Sequence, residues 1–409
     1  MDEISHYVTG LDVGTENVRA VVASVSESGK IAIIGYNEGK SNGMRKGVPA
    51  NLAGPAEAID KMLEEVERMS GRDVNSAYVS INGSQILTTR TEGMIAVGAV
   101  DHEIDDEDLN RVEDVAVTGR IPANRDVLDV VPLEYAIDGQ AGIKDPIGMS
   151  GARLEMRACV VSALTPNCEN LKKATEAANV AAERLVPGVV AAAKAVLTER
   201  QKENGVAVID MGAATTSVAV YEEGDLQYVG VVPAGSNNVT NDLAIVLAID
   251  PETAEEIKQR FVTGDFDNEK SAVIKVGKDE KTYNRKEVEE VVKARLDEIF
   301  DEVRKKLKAA KYDQRLPEGV VLVGGGAKMR DIDLFAKKAL EASARIGKPT
   351  GLDGVAEAIE KPEFATAVGL AMMAAEDSLH QVKVAKKPAK KKAKAAGKEN
   401  FLKRLLKKF

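Results

Sequence analysis

The chain has 409 residues, 44% of them hydrophobic, which is enough for two or more domains with their own cores. It contains no long apolar run, so we expect neither a signal peptide nor a membrane-spanning helix. Its two cysteines (Cys159, Cys168) have no metal-site spacing, and its three histidines (His6, His102, His380) are scattered. This argues against a zinc site or a His-based catalytic triad and favours a cytoplasmic protein with reduced thiols.

The net charge of −9 is unevenly distributed along the chain. Residues 381–409 hold twelve Lys or Arg and one acidic residue, so this tail carries +11 and residues 1–380 carry −20. An acidic body with a basic tail indicates an anionic surface as a partner.

The stretch Tyr7–Ser24 predicts a strand ending in Leu11, a tight turn over 12–17 and a second strand from Val18. Gly14 lets the backbone approach a ligand closely, and the following amides and hydroxyl point into one space. Asp12, at the end of the strand, can order a hydrated cation beside a phosphate. An ordinary hairpin is the alternative interpretation.

The rest of the first half is predicted to contain a strand at 31–35, a glycine-rich loop at 41–48, a helix at 55–69 and a strand at 76–83. Residues 84–160 are then predicted to form a separate small domain with short strands at 85–91, 94–97 and 127–138. The acidic run 105–108 begins a helix to Val117, where the helix dipole favours it. A solvated helix cap explains this run better than metal binding.

Two helices follow at 167–178 and 186–195, and the stretch Gly205–Tyr221 then repeats the first motif. Asp210 again ends an apolar strand, and a turn of small residues leads to Thr215 and Thr216. Two such hairpins predict two similar halves that face each other across a phosphate. A third stretch, Gly319–Lys328, runs from an apolar strand into three glycines, where an adenosine can lie against backbone.

Between these motifs, 232–244 predicts a turn and a helix whose first amides can face phosphates. Glu255 and Lys258 lie three residues apart on one helix face, and a surface ion pair is the plain alternative. Residues 288–310 predict an amphipathic helix with both charges, and Phe364–Ala371 a helix of small residues.

The tail divides into two parts. Residues 381–398 are rich in Lys, Ala and Pro and predict a disordered linker, and 399–409 predict an amphipathic helix capped by Asn400. Eleven residues cannot span a bilayer but can lie in its surface. The predicted membrane-binding residues form an apolar stripe and a cationic face: Phe401, Leu402, Lys403, Arg404, Leu405, Leu406, Lys407, Lys408 and Phe409. Nucleic-acid binding and docking on a protein groove are the alternatives, and the apolar stripe favours a membrane.

The order and spacing of the three motifs resemble the actin, heat-shock-70 and sugar-kinase ATPase fold, an α/β fold with two RNase H-like halves. The insertion after Ser80–Gly83, with its block 130–155, resembles subdomain 1C of the FtsA family of actin-like bacterial cell-division proteins. The similarity runs from about Val8 to Met373 and resumes at the C-terminus. It implies subdomains 1A (1–83, 161–200, 364–380), 1C (84–160), 2A (201–243, 312–363) and 2B (244–311), then a basic linker (381–398) and a membrane-targeting helix (399–409).

The resemblance implies ATP and Mg²⁺ in a cleft between the halves, with Asp12 and Asp210 holding the metal through water. It implies phosphate contacts from 14–17 and 212–216, ribose and base contacts from Glu255 and Lys258, and hinge helices at 186–195 and 364–371. The implied nucleotide-binding residues are Asp12, Gly14, Thr15, Glu16, Asn17, Asp210, Gly212, Ala213, Ala214, Thr215, Thr216, Gly235, Asn237, Glu255, Lys258, Gly324, Gly325, Gly326, Ala327 and Lys328.

Two departures from the family pattern affect the expected chemistry. Ala213 and Ala214 stand where the family usually has glycines, and their methyls and lost φ > 0 freedom should alter phosphate approach or lower affinity. Pro187 precedes Gly188 where the rod-shape homologue has a hydrolytic Glu, so no general base is visible there. We therefore expect ATP to act as an assembly ligand with slow or negligible hydrolysis and assign no catalytic residue.

As partners, the resemblance implies a second copy in an actin-like protofilament, anionic lipid on the cytoplasmic side of the membrane, and the tubulin-like protein FtsZ at the division site. The acidic and apolar C-terminal peptide of FtsZ would dock on helix 288–310 through Lys293 and Arg295, and later division proteins on 84–160. We expect no nucleic acid. A sugar or acetate kinase would not need the tail, and the block 130–155 favours FtsA over a pilus-assembly actin homologue.

Overall fold

The computed structural model describes residues 4–98, 102–261, 273–276, 281–312 and 315–386. The predicted helix 399–409 therefore lies outside the described residues. The described chain forms two compact units. The first contains the chain up to Thr89, Pro122–Val131 and Cys159–Ala375, and the second contains Arg90–Ile121, Pro132–Ala158 and the described chain from Glu376 onward.

The structure has β-strands and α-helices in mixed order. The strands are β1 (Ile4–Val13), β2 (Asn17–Ser26), β3 (Ile31–Lys40), β4 (Met44–Arg45), β5 (Val48–Pro49), β6 (Ser76–Ile81), β7 (Leu87–Ala96), β8 (Arg125–Ile137), β9 (Gln140–Ile143), β10 (Arg153–Leu164), β11 (Ala181–Pro187), β12 (Val206–Met211), β13 (Thr216–Glu222), β14 (Asp225–Val232), β15 (Val273–Val276), β16 (Lys281–Asn284), β17 (Val320–Val323), β18 (Ala344–Ile346) and β19 (Asp353–Gly354). The helices are α1 (Ala53–Ser70), α2 (Asp106–Val117), α3 (Thr165–Ala177), α4 (Gly188–Val196), α5 (Glu199–Asn204), α6 (Ser236–Val246), α7 (Pro251–Arg260), α8 (Arg285–Ala309), α9 (Ile332–Leu340) and α10 (Ala365–Lys386), with short 3-10 turns at Gly325–Lys328, Ala356–Ala358 and Pro362–Phe364.

Two sheets of the first unit are built alike, as the repeated motif predicted. One has the strand order β11-β6-β1-β2-β3-β19 and the other β14-β13-β12-β17-β18. In each, an antiparallel hairpin carries the motif aspartate, and a parallel strand lies on the other side of the hairpin's first strand. The predicted α/β fold with two similar halves is confirmed.

The core of the first unit divides along β12, whose side chains alternate between two hydrophobic clusters. Val206 and Val208 pack into the cluster that also contains α1, α4 and the start of α10, and Ala207, Ile209 and Met211 pack into the cluster of α6 to α9. Both faces of this strand are buried, which explains its continuous apolar sequence.

Helices α4 and α10 approach each other at backbone distance. A Cβ built on Gly369 of α10 would lie 1.7 Å from the carbonyl oxygen of Ala191 in α4, and one on Gly10 of β1 would lie 2.1 Å from that of Ala367. The small residues in the predicted hinge helices therefore allow a contact that no larger side chain permits.

Several elements differ from the sequence-based prediction. Ala181–Pro187 forms strand β11, which pairs in parallel with β6 and delays the start of α4 to Gly188. The two short strands predicted at 85–97 are one strand, β7. Helix α10 continues to Lys386, so the first residues of the predicted linker are helical, and residues 387–398 lie outside the described chain.

The strands β7, β10, β8 and β9 form a four-stranded sheet in that order. In the second unit, the predicted acidic helix start is present as a capping box. The Asp105 side chain accepts hydrogen bonds from the amides of Glu107 and Asp108, and the Asp108 carboxylate accepts one from the Asp105 amide. No helix in the described part of the chain is both long and apolar enough to cross a membrane.

Replacing Gly369 by Ala should lower the free energy of unfolding by about 3 kcal/mol or more, because the added methyl meets a backbone oxygen that cannot move alone. Urea unfolding measures this change. The matched control is Gly325→Ala, where an added Cβ meets nothing within 4 Å and the expected change is below about 0.5 kcal/mol. Equal effects of the two substitutions would contradict the packing interpretation.

Candidate functional site

A cleft of about 850 Å³ lies in the first unit between its two halves. This size is typical of pockets for nucleotide-sized ligands. Its walls come from the two hairpin turns, the first two turns of α6, one side of α7 along its length, the turn at Gly325–Lys328 and the segment that enters α10.

Two carboxylates line the cleft, one from each half: Asp12 is buried and Asp210 is half-buried. Asp12 accepts a hydrogen bond of 2.7 Å from the Ser80 hydroxyl, and burial raises the pKa of Asp12 although Arg19 and Ser80 oppose this. Burial and the neighbouring Asp12 charge raise the pKa of Asp210 to about 7, against a smaller effect of Arg19. Two such carboxylates attract a divalent cation because it removes the cost of ionising both.

The donor chemistry at this point fits a hydrated Mg²⁺. Asp12 and Asp210 supply hard oxygen ligands, which Mg²⁺ prefers, usually together with water and phosphate oxygens. The described residues include no group of three or more His, Cys, Asp or Glu placed to hold a metal ion. A cation here would therefore take most of its ligands from water and a bound anion.

The first turn is closed by a hydrogen bond of 3.0 Å from the Gly14 amide to the Asn17 carbonyl. The Thr15 hydroxyl accepts from the Gly47 amide at 2.9 Å. Glu16 extends across the cleft: it accepts from Lys40 at 2.9 Å and from the Asn237 amide group of the other half at 3.0 Å. The Lys40 hydrogen bond is the largest cause that holds the pKa of Glu16 below its usual value.

The second turn has the same geometry. The Gly212 amide donates to the Thr215 carbonyl at 2.9 Å, and the carbonyls of Gly212 and Ala213 accept from the amides of Ser236 and Asn237 at 2.9 and 2.8 Å. Neither Ala213 nor Ala214 has a positive φ. The expected cost of lost φ > 0 freedom at these alanines is therefore absent in this conformation.

Glu255 and Lys258 form an ion pair of 2.6 Å between α7 residues three apart. The Thr240 hydroxyl of α6 donates to Glu255 at 2.7 Å and accepts from Lys258 at 2.9 Å. Burial acts to raise the pKa of Glu255, but Lys258 and the hydrogen bonds from Thr240 and Gln259 outweigh it and hold the pKa below its usual value.

The glycine-rich turn packs against Asp210 and the segment before α10. Gly324 has φ +83°, and a Cβ there would lie 2.2 Å from an Asp210 carboxylate oxygen. Its amide donates to the Pro362 carbonyl at 2.9 Å, and Lys328 pairs with Glu363 at 3.1 Å. Only glycine at position 324 fits both the backbone angle and the space.

Fifteen of the twenty predicted nucleotide-binding residues line this cleft. They are Asp12, Gly14, Thr15, Glu16, Asn17, Asp210, Gly212, Ala213, Thr215, Asn237, Glu255, Lys258, Gly324, Gly325 and Lys328.

The other five lie beside or behind the cleft wall: Ala214, Thr216, Gly235, Gly326 and Ala327. Thr216 is buried in β13, and its hydroxyl donates to the Ala234 carbonyl at 2.8 Å. Gly235 and Gly326 allow close backbone packing, since a Cβ would lie 2.5 Å from the Gly212 oxygen and 2.8 Å from the Met211 Cβ, respectively.

The cleft also contains polar residues that sequence reasoning missed, among them Arg19, Glu38, Lys40, Asn82, Thr240, Gln259, Glu363 and Thr366. Arg19 was detectable, because it pairs in register with Asp12 across the first hairpin. It forms an ion pair with Glu38. Pro187 ends β11 and does not line the cleft. The residue at the position of the hydrolytic Glu therefore supplies no group that could replace it.

The predicted partner-binding pair on α8 differs in its two members. Lys293 is exposed. Arg295 instead forms two hydrogen bonds to Asp242, of 2.6 and 3.2 Å, and one of 2.6 Å to Glu298. Its charge is thus already paired within this half of the chain.

Two family models match the chain. Residues 207–369 match the model described as "Cell division protein FtsA", and residues 83–162 match the "SHS2 domain inserted in FTSA". An inserted domain after the β6 segment is therefore confirmed as part of the fold.

Curated relatives match over most of their length. Cell division protein FtsA of Pseudomonas aeruginosa is 33% identical over 370 residues, which cover 89% of this chain and 88% of that protein. FtsA of Escherichia coli K12 is 31% identical over 377 residues and 89% of both chains. FtsA of Bacillus subtilis is 31% identical over 369 residues, covering 89% of this chain and 82% of that protein.

Solved structures of low sequence identity share the fold. The PilM–PilN type IV pilus biogenesis complex gives a TM-score of 0.66 at 18% identity, covering 90% of this chain and 98% of that chain. MreB5 of Spiroplasma citri bound to ADP gives 0.55 at 14% identity, covering 93% and 99%. These likenesses show an actin-like fold, and the two family models with the curated relatives show that the chain belongs to the FtsA family of cell division proteins.

Proposed function

We propose that this protein binds ATP with Mg²⁺ in the cleft, polymerises on the inner face of the cytoplasmic membrane and tethers FtsZ filaments at the division site. The observation that carries the proposal is the pair of like-built turns that bring Asp12 and Asp210 together in a cleft of nucleotide size, within a chain of the FtsA family. The solved MreB5 structure holds ADP, which is consistent with a nucleotide in this fold.

The residues present define how the nucleotide would be held. The amides of the two turns and Asn237 supply hydrogen-bond donors for phosphates, and Gly324 and Gly325 leave backbone open beside Lys328 for the adenosine. Mg²⁺ would supply charge neutralisation for the phosphates, and Asp12 and Asp210 would order its waters. The nucleotide then binds residues of both halves and stabilises the closed cleft.

Partner binding would use surfaces outside the cleft. On α6, Ile245 and Val246 are exposed (77% and 52%) and follow Asp242 by three and four residues, so all three share a face. Since Asp242 binds Arg295 of α8, this apolar pair lies near the charges of α8. The mixed apolar and acidic C-terminal peptide of FtsZ fits a surface formed by Ile245 and Val246 together with the basic residues Lys293 and Arg295 of α8. Later division proteins would bind the inserted domain.

Membrane binding would come from residues 399–409, whose sequence places five large apolar side chains beside four cations. Each cation near anionic lipid adds about 1 kcal/mol, and polymerisation multiplies the attachment points. The protein would therefore be a peripheral protein of the cytoplasmic membrane.

Replacing Asp210 by Asn should stabilise the nucleotide-free protein above pH 7. A carboxyl whose pKa rises from 3.8 to about 7 binds more protons folded than unfolded, so its ionisation increasingly destabilises the fold as the pH rises through that interval. At about 1.4 kcal/mol per pKa unit, the Asn variant should raise the free energy of unfolding at pH 8 by at most about 4 kcal/mol. This increase should disappear towards pH 4.

Denaturant unfolding between pH 4 and pH 8, with and without Mg·ATP, measures this gain and its loss. The variant should also lose the stabilisation that Mg·ATP gives the parent protein. Exposed Asp297→Asn is the control, with no change expected at either pH. An Asp210→Asn protein that is less stable than the parent at pH 8 would show that the aspartate is not destabilised by its surroundings.

ATP hydrolysis should be slow, with a single-turnover rate below about one per second. The position of the hydrolytic Glu holds Pro187, which does not line the cleft, and the cleft carboxylate of Glu363 has one oxygen paired with Lys328. Rapid quenching of radiolabelled ATP with excess protein measures the rate, and a faster turnover would show that a base has been overlooked. The Asp210→Asn protein serves as the background control.

Removing residues 399–409 should abolish flotation with vesicles that contain anionic lipid, because the apolar stripe and the cations leave together. FtsZ should float only when the full chain is present. Electron microscopy on lipid monolayers with ATP should show filaments of the full chain. Leu405→Gln with Leu406→Gln keeps every cation and should lose flotation too, and flotation of this variant at the parental level would favour a purely electrostatic attachment.

A further inference from the structure

The rim of the cleft carries a hydrogen bond between the two halves. The Glu16 carboxylate, in the turn of the first half, accepts from the side-chain amide of Asn237, at the start of α6 in the second half, at 3.0 Å. The Glu16 side chain is 44% exposed and that of its ion-pair partner Lys40 is 79% exposed, whereas Asp12 is buried. The contact between the halves therefore lies nearer to solvent than the Asp12 carboxylate does.

Both residues of this contact are held by their backbones. The Glu16 carbonyl accepts a hydrogen bond from the Ser41 amide at 3.0 Å. The backbone amide of Asn237 donates to the Ala213 carbonyl of the second turn at 2.8 Å. Because each backbone is fixed within its own half, the two side chains can separate only if one of them changes rotamer or if the halves move apart.

The charge of Glu16 is balanced within its own half. Lys40 forms an ion pair of 2.9 Å with it and is the largest cause that holds the pKa of Glu16 below its usual value. An ionised carboxylate is the stronger kind of hydrogen-bond acceptor. The side-chain amide of Asn237 has two N–H donors, so that one can bind Glu16 while the other binds a ligand. The contact can therefore persist above a bound anion.

We propose that Glu16 and Asn237 form a clasp that closes the cleft over its ligand and limits the rates at which a nucleotide enters and leaves. The proposal rests on the proposed nucleotide binding and adds a control of its kinetics. Each passage of a nucleotide requires that the charge-assisted hydrogen bond of the clasp be broken. Both residues are only half-buried, so water replaces part of the lost interaction, and the clasp should slow each rate roughly fivefold.

Stopped-flow fluorescence with Mg²⁺ and ATP that carries an N-methylanthraniloyl group measures both rate constants. Glu16→Ala removes the acceptor and should raise the association and dissociation rate constants alike, each roughly fivefold. Glu16→Gln keeps an oxygen that accepts from Asn237, so its rate constants should lie closer to those of the parent than to those of Glu16→Ala. If Glu16→Ala speeds association but leaves dissociation unchanged or slower, Glu16 acts by repelling phosphates, and the proposal is overturned.

The chain offers a matched control for the loss of a carboxylate at the cleft. Glu252 lines the cleft from the first turn of α7 and is exposed. Glu252→Ala removes one negative charge but leaves the clasp in place. Its dissociation rate constant should therefore stay within about twofold of the parental value. A rise as large as that of Glu16→Ala would show that the lost charge alone explains the faster exchange, which would overturn the proposal.

A second measurement needs no nucleotide. Spin labels on cysteines introduced at the exposed positions Lys61 of α1 and Asp297 of α8 report the distance between the halves, and both natural cysteines are buried. Glu16→Ala should broaden the distance distribution of the parent, and Glu16→Gln should broaden it less. Identical distributions for the parent and Glu16→Ala would refute the clasp, whatever the protein binds. A parent protein that binds no ATP would refute the proposed function, while the distances still decide whether the clasp exists.

Discussion

The close approach of Asp12 and Asp210 is the constraint on which the rest of the structure depends. Each is held at the end of a buried strand, and the packing of the two halves brings both into one cleft. Burial raises the pKa of both carboxyls, the charge of Asp12 raises that of Asp210 further, and Arg19 offsets only part of this cost. The fold therefore maintains a pair of carboxylates whose negative charge a cation would offset.

Holding the carboxylates of Asp12 and Asp210 in one cleft requires rigid packing around both side chains. Gly324 leaves space beside Asp210 that a methyl group would fill, and Ser80 orients Asp12. Behind them, Gly369 lets α10 contact α4 at backbone distance. Gly10 of β1 packs equally closely against α10, so this contact also supports the strand that carries Asp12.

Sequence reasoning located the elements whose signal is local. Each aspartate follows an apolar strand and precedes a turn of small residues, and such turns have few alternative conformations. Strand β11 was missed because its last two residues, Val186 and Pro187, were assigned to the start of the following helix. The ion pair of Arg295 with Asp242 was not predicted because only the folded chain shows that Asp242 faces it from another helix. The commitment of Lys258 to three internal acceptors is equally invisible, since spacing places it on a face but not under a neighbouring helix.

The two turns also explain why one side chain bridges the cleft. The amides of Gly14 and Gly212 each donate a hydrogen bond to the carbonyl three residues later, so Glu16 and Ala214 occupy equivalent places in the two turns. At this place the first turn has the carboxylate of Glu16, and the second turn has only the methyl group of Ala214. Glu16 lines the cleft and Ala214 does not. The Glu16 carboxylate instead accepts a hydrogen bond from the side chain of Asn237 at the start of α6. The backbone amide of Asn237 donates to the Ala213 carbonyl of the second turn. The hydrogen bond between Glu16 and Asn237 thus joins the first turn to the helix that the second turn binds. A ligand that moves either turn would therefore change the contact between the halves.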